Sequence, residues 1–325
     1  RRREALRKSY RELREEIKTD GERLKLIAAL GSSDDLAYHY ALICEDWAAG
    51  GKLLLENSFD RHGEAGIVFL LERLRAFGAA SKTDVRSETS AAAGTGANSG
   101  ADTDVSIDTF DANNVQQDAR QDGRRNGEQD SQRDSKQDCR QNHEQDLSRS
   151  GEAVCATGSE SVARLYTDTA YLAAKILSQL RHRDFYAARA KELAALLTAR
   201  WEISDIALRR KQIIALGWIG SEAEVDVLIG TMQSDTDALC RAWAAAALMQ
   251  LLFHGVAADV LREKTKAAFA EVIRKEADLH AAGIMIEAAQ TLFGKKWISA
   301  AAAETADSAV IEKARKSALR FLGKA

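Results

Sequence analysis

Apolar residues recur at helical spacing near the start of the chain. Leu6, Tyr10, Leu13 and Ile17 follow one another at steps of four, three and four residues. These steps place the four side chains on one face of a helix. The first segment of the chain therefore predicts an amphipathic helix.

Similar patterns follow on both sides of a long polar region. Residues 32–34 (Ser, Ser, Asp) are candidate N-caps of a helix with an inward face of Leu36, Tyr40, Ile43 and Trp47. Gly31 and Gly78 are predicted to end helices, because glycine commonly terminates them. The remaining predicted helices lie near residues 22–30, 64–77, 162–180 and 185–197.

The polar region has a different pattern. Within it, residues 116–147 form consecutive four-residue units of the type QQDA, RQDG and EQDS, with almost no large apolar side chains. Such a segment cannot bury enough surface to offset the entropy of ordering, and its Gly, Asn, Asp and Ser content disfavours helix interiors. We expect a disordered insert, although a period of four is also compatible with a charged helix.

This division predicts an all-α chain in three parts. Residues 1–78 form an N-terminal helical part, residues 79–158 a low-complexity insert, and residues 159–325 a C-terminal helical part. No proline interrupts any predicted helix. The many alanines indicate helices that pack closely.

A short sequence motif recurs in the C-terminal part. Residues 208–220 read LRRKQIIALGWIG, and their arginine, leucine and glycine return at offsets of 32 and then 74 residues. Helical-pair solenoids repeat at roughly 33 to 47 residues. The second copy has Met249 where the first has glycine. The motif residues are Arg209, Leu216, Gly217, Arg241, Leu248, Arg315, Leu322 and Gly323.

The recurring motif resembles HEAT-like repeats, in particular the short repeats of phycobilisome lyase subunits. An acidic turn at residues 234–237 precedes Arg241, small residues follow it, and residues 221–224 begin the paired helix. The resemblance is strongest for residues 205–252 and does not extend to the insert. It implies an α-solenoid of stacked helical pairs, in which each pair buries its apolar face against its neighbours.

The resemblance also suggests roles for two motif positions. Arg241 is expected to pair with Asp235 or Asp237 in the acidic turn, or else to remain a solvated charge. Gly217 is expected to take a left-handed conformation where the first helix of the pair ends.

Composition and charge narrow the chemistry. The net charge of −3 is too small to indicate a polyanionic partner for the whole chain. No run of 18 apolar residues indicates a spanning helix. Cys44, Cys139, Cys155 and Cys240 lack metal-ligand spacing, and the histidines stand in no recognisable nucleophile context. We therefore predict no metal, no cofactor and no catalytic residue.

Four residues are candidate contacts for a partner. Trp218 occupies a repeat position that usually carries a polar residue, so it is either an exposed anchor or packed against a neighbouring repeat. Glu222, Asp226 and Gln233 face outward on the second helix of the pair, which is expected to line a concave wall.

These features favour a non-enzymatic scaffold or adaptor that binds another protein or a peptide through its concave face. Nucleic acid is a disfavoured partner, and a cytoplasmic location is favoured over the cell envelope. Two alternatives stay open. One is a HEAT-fold enzyme or enzyme subunit, of glycosylase or lyase type. The other is a structural protein of the cell envelope whose signal segment was removed.

Overall fold

The structure is a computed structural model that describes residues 8–84 and 158–323, with the side chains of residues 8–77 and 160–323. Within these ranges every regular element is a helix, and all of them belong to one compact unit. The tetrapeptide insert, its predicted disorder, Cys139 and Cys155 lie outside the described residues. In the described part no helix is long and apolar enough to cross a membrane.

The N-terminal part folds into four α-helices and one 3-10 helix. Tyr10 and Leu13 of the first helix are buried, as their spacing predicts. The N-cap of the third helix is Asp35, whose side chain accepts the N–H of Tyr38. This cap lies one residue after the last of the predicted caps. The elements are α1 (Tyr10–Glu16), α2 (Asp20–Leu30), α3 (Leu36–Ala48), the 3-10 helix (Leu55–His62) and α4 (Gly63–Asp84).

The prediction that Gly78 ends the fourth helix is wrong. Helix α4 continues through Gly78 to Asp84. A glycine inside a helix costs only about 1 kcal/mol relative to alanine, and two alanines follow it here. The boundary predicted at residue 78 therefore falls inside a helix.

The C-terminal part adds nine α-helices and one short 3-10 helix, Glu222–Glu224. The α-helices are α5 (Gly158–Gln179), α6 (Tyr186–Thr198), α7 (Ile206–Ile219), α8 (Val225–Ser234), α9 (Ala238–Phe253), α10 (Ala258–Lys275), α11 (Leu279–Leu292), α12 (Ala300–Glu304) and α13 (Ser308–Leu322).

Aspartate side chains start four of these helices in the same way. Asp205, Asp237, Asp278 and Asp307 each accept the backbone N–H of the residue three positions later. This contact satisfies one of the N–H groups that a helix start leaves without a partner. The four caps mark the beginnings of α7, α9, α11 and α13, the first helix of each successive unit.

The helices stack in two layers. In the first layer α5 packs against α7, α7 against α9, and α9 against α11. The second helices α8 and α10 pack against each other and against the first layer, whereas α6 and α8 have little direct contact. This serial order is that of an α-solenoid.

The N-terminal helices pack onto the start of this stack. Helix α4 packs against both α5 and α6. The hydroxyl groups of Tyr40 and Thr169 form a buried hydrogen bond of 2.6 Å between α3 and α5. On the surface, Arg189 of α6 pairs with Glu64 of α4 at 3.1 Å. The two helical parts therefore share one core.

A pair of ionic contacts links α7 to the turn before α9. Nε and Nη2 of Arg209 donate to the two carboxylate oxygens of Asp235, at 3.1 and 2.9 Å. Arg210 binds the carboxylate of Asp237 in the same turn, at 3.0 to 3.2 Å. The hydrogen bond to Asp235 raises the pKa of Arg209. Both arginine side chains are mostly buried, so the contacts tie successive units together.

The predicted pairing of Arg241 with Asp235 or Asp237 is wrong. The guanidinium of Arg241 instead binds Glu276, in the turn before α11, through two contacts of 2.8 and 2.9 Å. It reaches its own turn only through the carbonyl oxygens of Asp235 and Thr236. Arg209 and Arg241 each point toward the following unit, because the acid there lies beside the next helix of the same layer.

The prediction of a left-handed cap at Gly217 is also wrong. Helix α7 continues to Ile219, and Gly220 is its C-cap. Gly217 lies inside the helix, where an added Cβ would stand 2.9 Å from the Cβ of Ala247 on α9. Glycine is present because the two helices approach closely, and no left-handed turn is needed.

The remaining motif residues have structural roles in the same frame. The leucines Leu216, Leu248 and Leu322 are buried in the core. Arg315 of α13 donates to the carbonyl oxygens of Ile273 and Glu276, near the end of α10. Gly323 is the C-cap of α13 with φ −82°, a right-handed conformation.

Candidate partner-binding site

The structure places Trp218, one of the predicted partner contacts, against a neighbouring unit. Its indole is half-buried against the core, and its ring lies 5.0 Å from that of Tyr171 on α5. Its carbonyl oxygen accepts a hydrogen bond of 3.1 Å from Arg181. Trp218 therefore packs between adjacent units of the first layer, the alternative that the sequence leaves open.

The three polar candidates lie on the surface of the second layer. Glu222, Asp226 and Gln233 are exposed. Lys264 of α10 lies 3.8 Å from Glu222 and 3.9 Å from Asp226. Gln233 donates to Glu271 of α10 at 2.9 Å. Asp226 keeps 80% of its side chain exposed, so its carboxylate remains accessible to a partner.

A cleft of about 730 Å³ lies beside Asp226. One wall is the loop that connects α6 to α7, residues 201–204, and the other is α8. The cleft forms where α6 and α8 separate, since these helices have little direct contact. Its lining is formed by Trp201, Glu202, Ile203, Ser204, Arg209, Asp226, Val227, Gly230, Thr231, Ser234 and Asp235.

Trp201 supplies the aromatic wall of the cleft and is fixed in place. Its indole Nε1 donates to the hydroxyl of Thr231 on α8 at 2.9 Å. Thr231 in turn donates to the carbonyl oxygen of Val227. This chain of hydrogen bonds holds the loop against the helix, so the wall is rigid before a partner arrives.

The charge of the lining is negative. Arg209 and Asp235 neutralise each other in their ion pair. Glu202 and Asp226 contribute two more carboxylates, both exposed to solvent. No lysine or second arginine lines the cleft.

Gly230, a glycine inside a helix, forms part of the lining of the cleft. It lies within α8, is exposed, and an added Cβ would meet no atom within 4 Å. Gly217 and Gly283 inside other helices differ, since a Cβ there would crowd Ala247 and Ala303. Glycine inside a helix costs about 1 kcal/mol relative to alanine. Internal packing does not explain this cost at Gly230.

Sequence reasoning missed Trp201 and Gly230. Trp201 was not distinguished from the other tryptophans, because its role depends on the separation of α6 from α8. Gly230 directly follows the apolar residues 227–229 within the helix VDVLIGTMQS. That glycine is a detectable signal, since a helix-interior glycine requires a reason.

A family model of HEAT repeats matches residues 164–249. Residues 164–249 therefore contain HEAT repeats. The matched range runs from within α5 to within α9, and it contains the Arg209–Asp235 pair and all residues of the cleft. The match does not support the narrower resemblance to phycobilisome lyase subunits. Searches of curated proteins and of solved structures gave no match to the chain.

Proposed function

We propose that this HEAT-like repeat protein is a non-catalytic scaffold that binds another protein through its second-helix layer, at the cleft beside α8. HEAT repeats build helical scaffolds with extended surfaces, which suit protein or peptide ligands. The cleft is the observation that carries the proposal. It combines a fixed tryptophan with apolar and polar groups inside the matched repeats.

The proposal keeps the second-helix layer that the sequence predicts as the binding surface, but it changes which residues contact the partner. Asp226 stays in the site, with Trp201 in place of Trp218 as the aromatic anchor. Glu222, in the 3-10 helix before α8, and Gln233, on α8, lie outside the lining of the cleft and retain their proposed role as contacts. That this layer forms the concave side of the solenoid stays a prediction.

We propose no chemistry for the cleft. The residues that line it include no histidine, cysteine or lysine, and its most buried carboxylate, Asp235, is bound by Arg209. Glu202 and Asp226 are exposed to solvent and lack the enclosed surroundings typical of a catalytic carboxylate. In the described part of the chain no group of side chains could hold a metal ion.

Site-specific photo-crosslinking tests this proposal. A benzoylphenylalanine at Ser204, an exposed residue of the cleft wall, should capture a discrete protein in cells. The same probe at Lys175, exposed on the first-layer helix α5, is the matched control and should not capture that protein. Capture from Lys175 alone would move the site to the other layer. If neither position captures a protein, the proposal is overturned.

A further inference from the structure

We infer that the cleft binds a peptide segment carrying an arginine, with the guanidinium against Trp201 and near Glu202 and Asp226, and the peptide backbone over Gly230. This inference rests on the proposed function, because it names the chemistry of the partner at the same cleft. Three independent observations support it: the charge of the lining, the fixed indole and the unfilled space above Gly230.

The charge of the cleft selects a basic ligand. After Arg209 and Asp235 have neutralised each other, Glu202 and Asp226 give the lining an excess of negative charge. Lys264 approaches Asp226 only to 3.9 Å, and it contacts Glu222 as well. A guanidinium that enters the cleft can therefore gain charge-assisted hydrogen bonds without displacing a strong internal pair.

The indole of Trp201 favours arginine over lysine. Its N–H is already used by Thr231, so the ring can offer its π-face but not its donor. A planar guanidinium stacks on such a face and still directs its N–H groups, in its own plane, to neighbouring carboxylates. An ammonium group is a compact charge that cannot do both equally well.

Gly230 indicates close approach by a backbone. The space above it is empty in the protein alone, and the fold does not need a glycine there. Without a side chain, the helix surface at Gly230 lies lower than its surroundings, so an extended main chain can pass directly over it. Val227 and Thr231 flank this path on the same helix.

Selection from a displayed library of random dodecapeptides on the full-length protein tests the inference. We expect enriched peptides to share an arginine. Replacing that arginine with citrulline, its neutral isostere, should weaken binding about ten- to a hundredfold, the loss expected for a charged hydrogen bond. Replacement with lysine should weaken binding less than citrulline does. The Glu202→Gln and Asp226→Asn variants should each weaken binding of the arginine peptide. They should also reduce the difference in affinity between the arginine and citrulline peptides.

The Gly230→Ala variant tests the backbone path. It should weaken peptide binding about tenfold or more while thermal stability is kept or raised, because the methyl group fills space only in the complex. Gly21→Ala, in the first turn of α2 with ample room for a Cβ, is the matched control and should leave binding unchanged. Full binding by Gly230→Ala would overturn the proposed path.

The outcomes separate the two proposals. If the selected peptides lack arginine, or bind the Glu202→Gln and Asp226→Asn variants as well as the wild type, the inference is wrong. Crosslinking of a protein partner from Ser204 would in that case still support the proposed function. Failure of both the selection and the crosslinking would overturn both.

Discussion

Arg241 on α9 and Glu276 in the turn before α11 form a two-point ion pair, with Nε to Oε2 at 2.8 Å and Nη2 to Oε1 at 2.9 Å. The side chain of Glu276 is only 3% exposed. The same relationship joins Arg209 to Asp235 one unit earlier. An arginine thus locks α7 and α9 each to the turn that begins the next first-layer helix.

Removing one partner of this pair should be costly. Arg241→Met leaves the Glu276 carboxylate buried without its counter-charge, which should lower the free energy of unfolding by about 3 kcal/mol. The double variant Arg241→Met/Glu276→Gln should lose clearly less than the sum of the two single variants. Urea unfolding of the four proteins measures this coupling. Additive losses would show that the two side chains do not depend on each other.

Two glycine substitutions should have opposite effects on stability. Gly217→Ala places a Cβ 2.9 Å from that of Ala247 and forces α7 and α9 apart, at a cost of about 1 to 3 kcal/mol. Gly230→Ala meets no atom and should stabilise the protein by up to about 1 kcal/mol. Thermal melting compares both with the wild type. A neutral Gly217→Ala would contradict the close packing of these helices.

The two tryptophans should separate stability from binding. Trp218→Ala removes a half-buried ring from its contact with Tyr171 and should destabilise the fold by about 2 to 3 kcal/mol. Trp201→Ala should cost less stability, and it should abolish capture of a partner at the cleft. Chemical denaturation and the Ser204 crosslink report the two effects. If a folded Trp218→Ala variant lost capture of the partner while Trp201→Ala kept it, Trp218 and not Trp201 would be the partner contact.

A buried histidine pair should make the fold sensitive to acid. His39 is fully buried, and burial lowers its pKa to about 4. Its Nε2 donates to the carbonyl oxygen of Leu55 at 3.0 Å, so neutral His39 accepts a hydrogen bond from His62 at Nδ1, 2.8 Å away. Burial also lowers the pKa of His62. Protonation of His39 would replace that acceptor with a donor.

The direction of the pH effect follows from linkage. His39 takes up its proton near pH 6.5 in the unfolded chain but only near pH 4 in the folded chain. The contribution of neutral His39 to the free energy of unfolding is therefore fully present above pH 6.5. It is lost as the pH falls toward 4, by about 1.4 kcal/mol per pH unit. His39→Gln should flatten the dependence of urea midpoints on pH in this window. His182→Gln, which removes an exposed histidine, controls for the change of residue type, and an unchanged slope in His39→Gln would contradict the assignment.

Much of the fold could be predicted from local patterns. The apolar spacing of Tyr10 and Leu13 identified a helix, and Ser221 with Glu224 forms a capping box where the paired helix was expected. These signals are local, because each depends on contacts within one turn or one helix face. The motif arginines likewise indicated contacts between units, although not their direction.

The errors concern contacts between residues distant in sequence. A glycine after Leu216 has the same local pattern whether it ends a helix or lies against Ala247, thirty positions away. The burial of Trp218 depends on Tyr171, and the cleft at Trp201 depends on how far α6 stands from α8. Neither quantity is encoded in the spacing of a single segment.

The acidic residues in the turns allow a helical unit to be deleted or duplicated without losing the contacts between units. Asp235 serves the preceding arginine while Asp237 caps its own helix, and Glu276 and Asp278 divide the same two tasks one unit later. An excision from Asp235 through Lys275 would bring Glu276 opposite Arg209 and Asp278 opposite Arg210. Genetic gain or loss of modules is therefore compatible with this architecture when the cut falls at these acids.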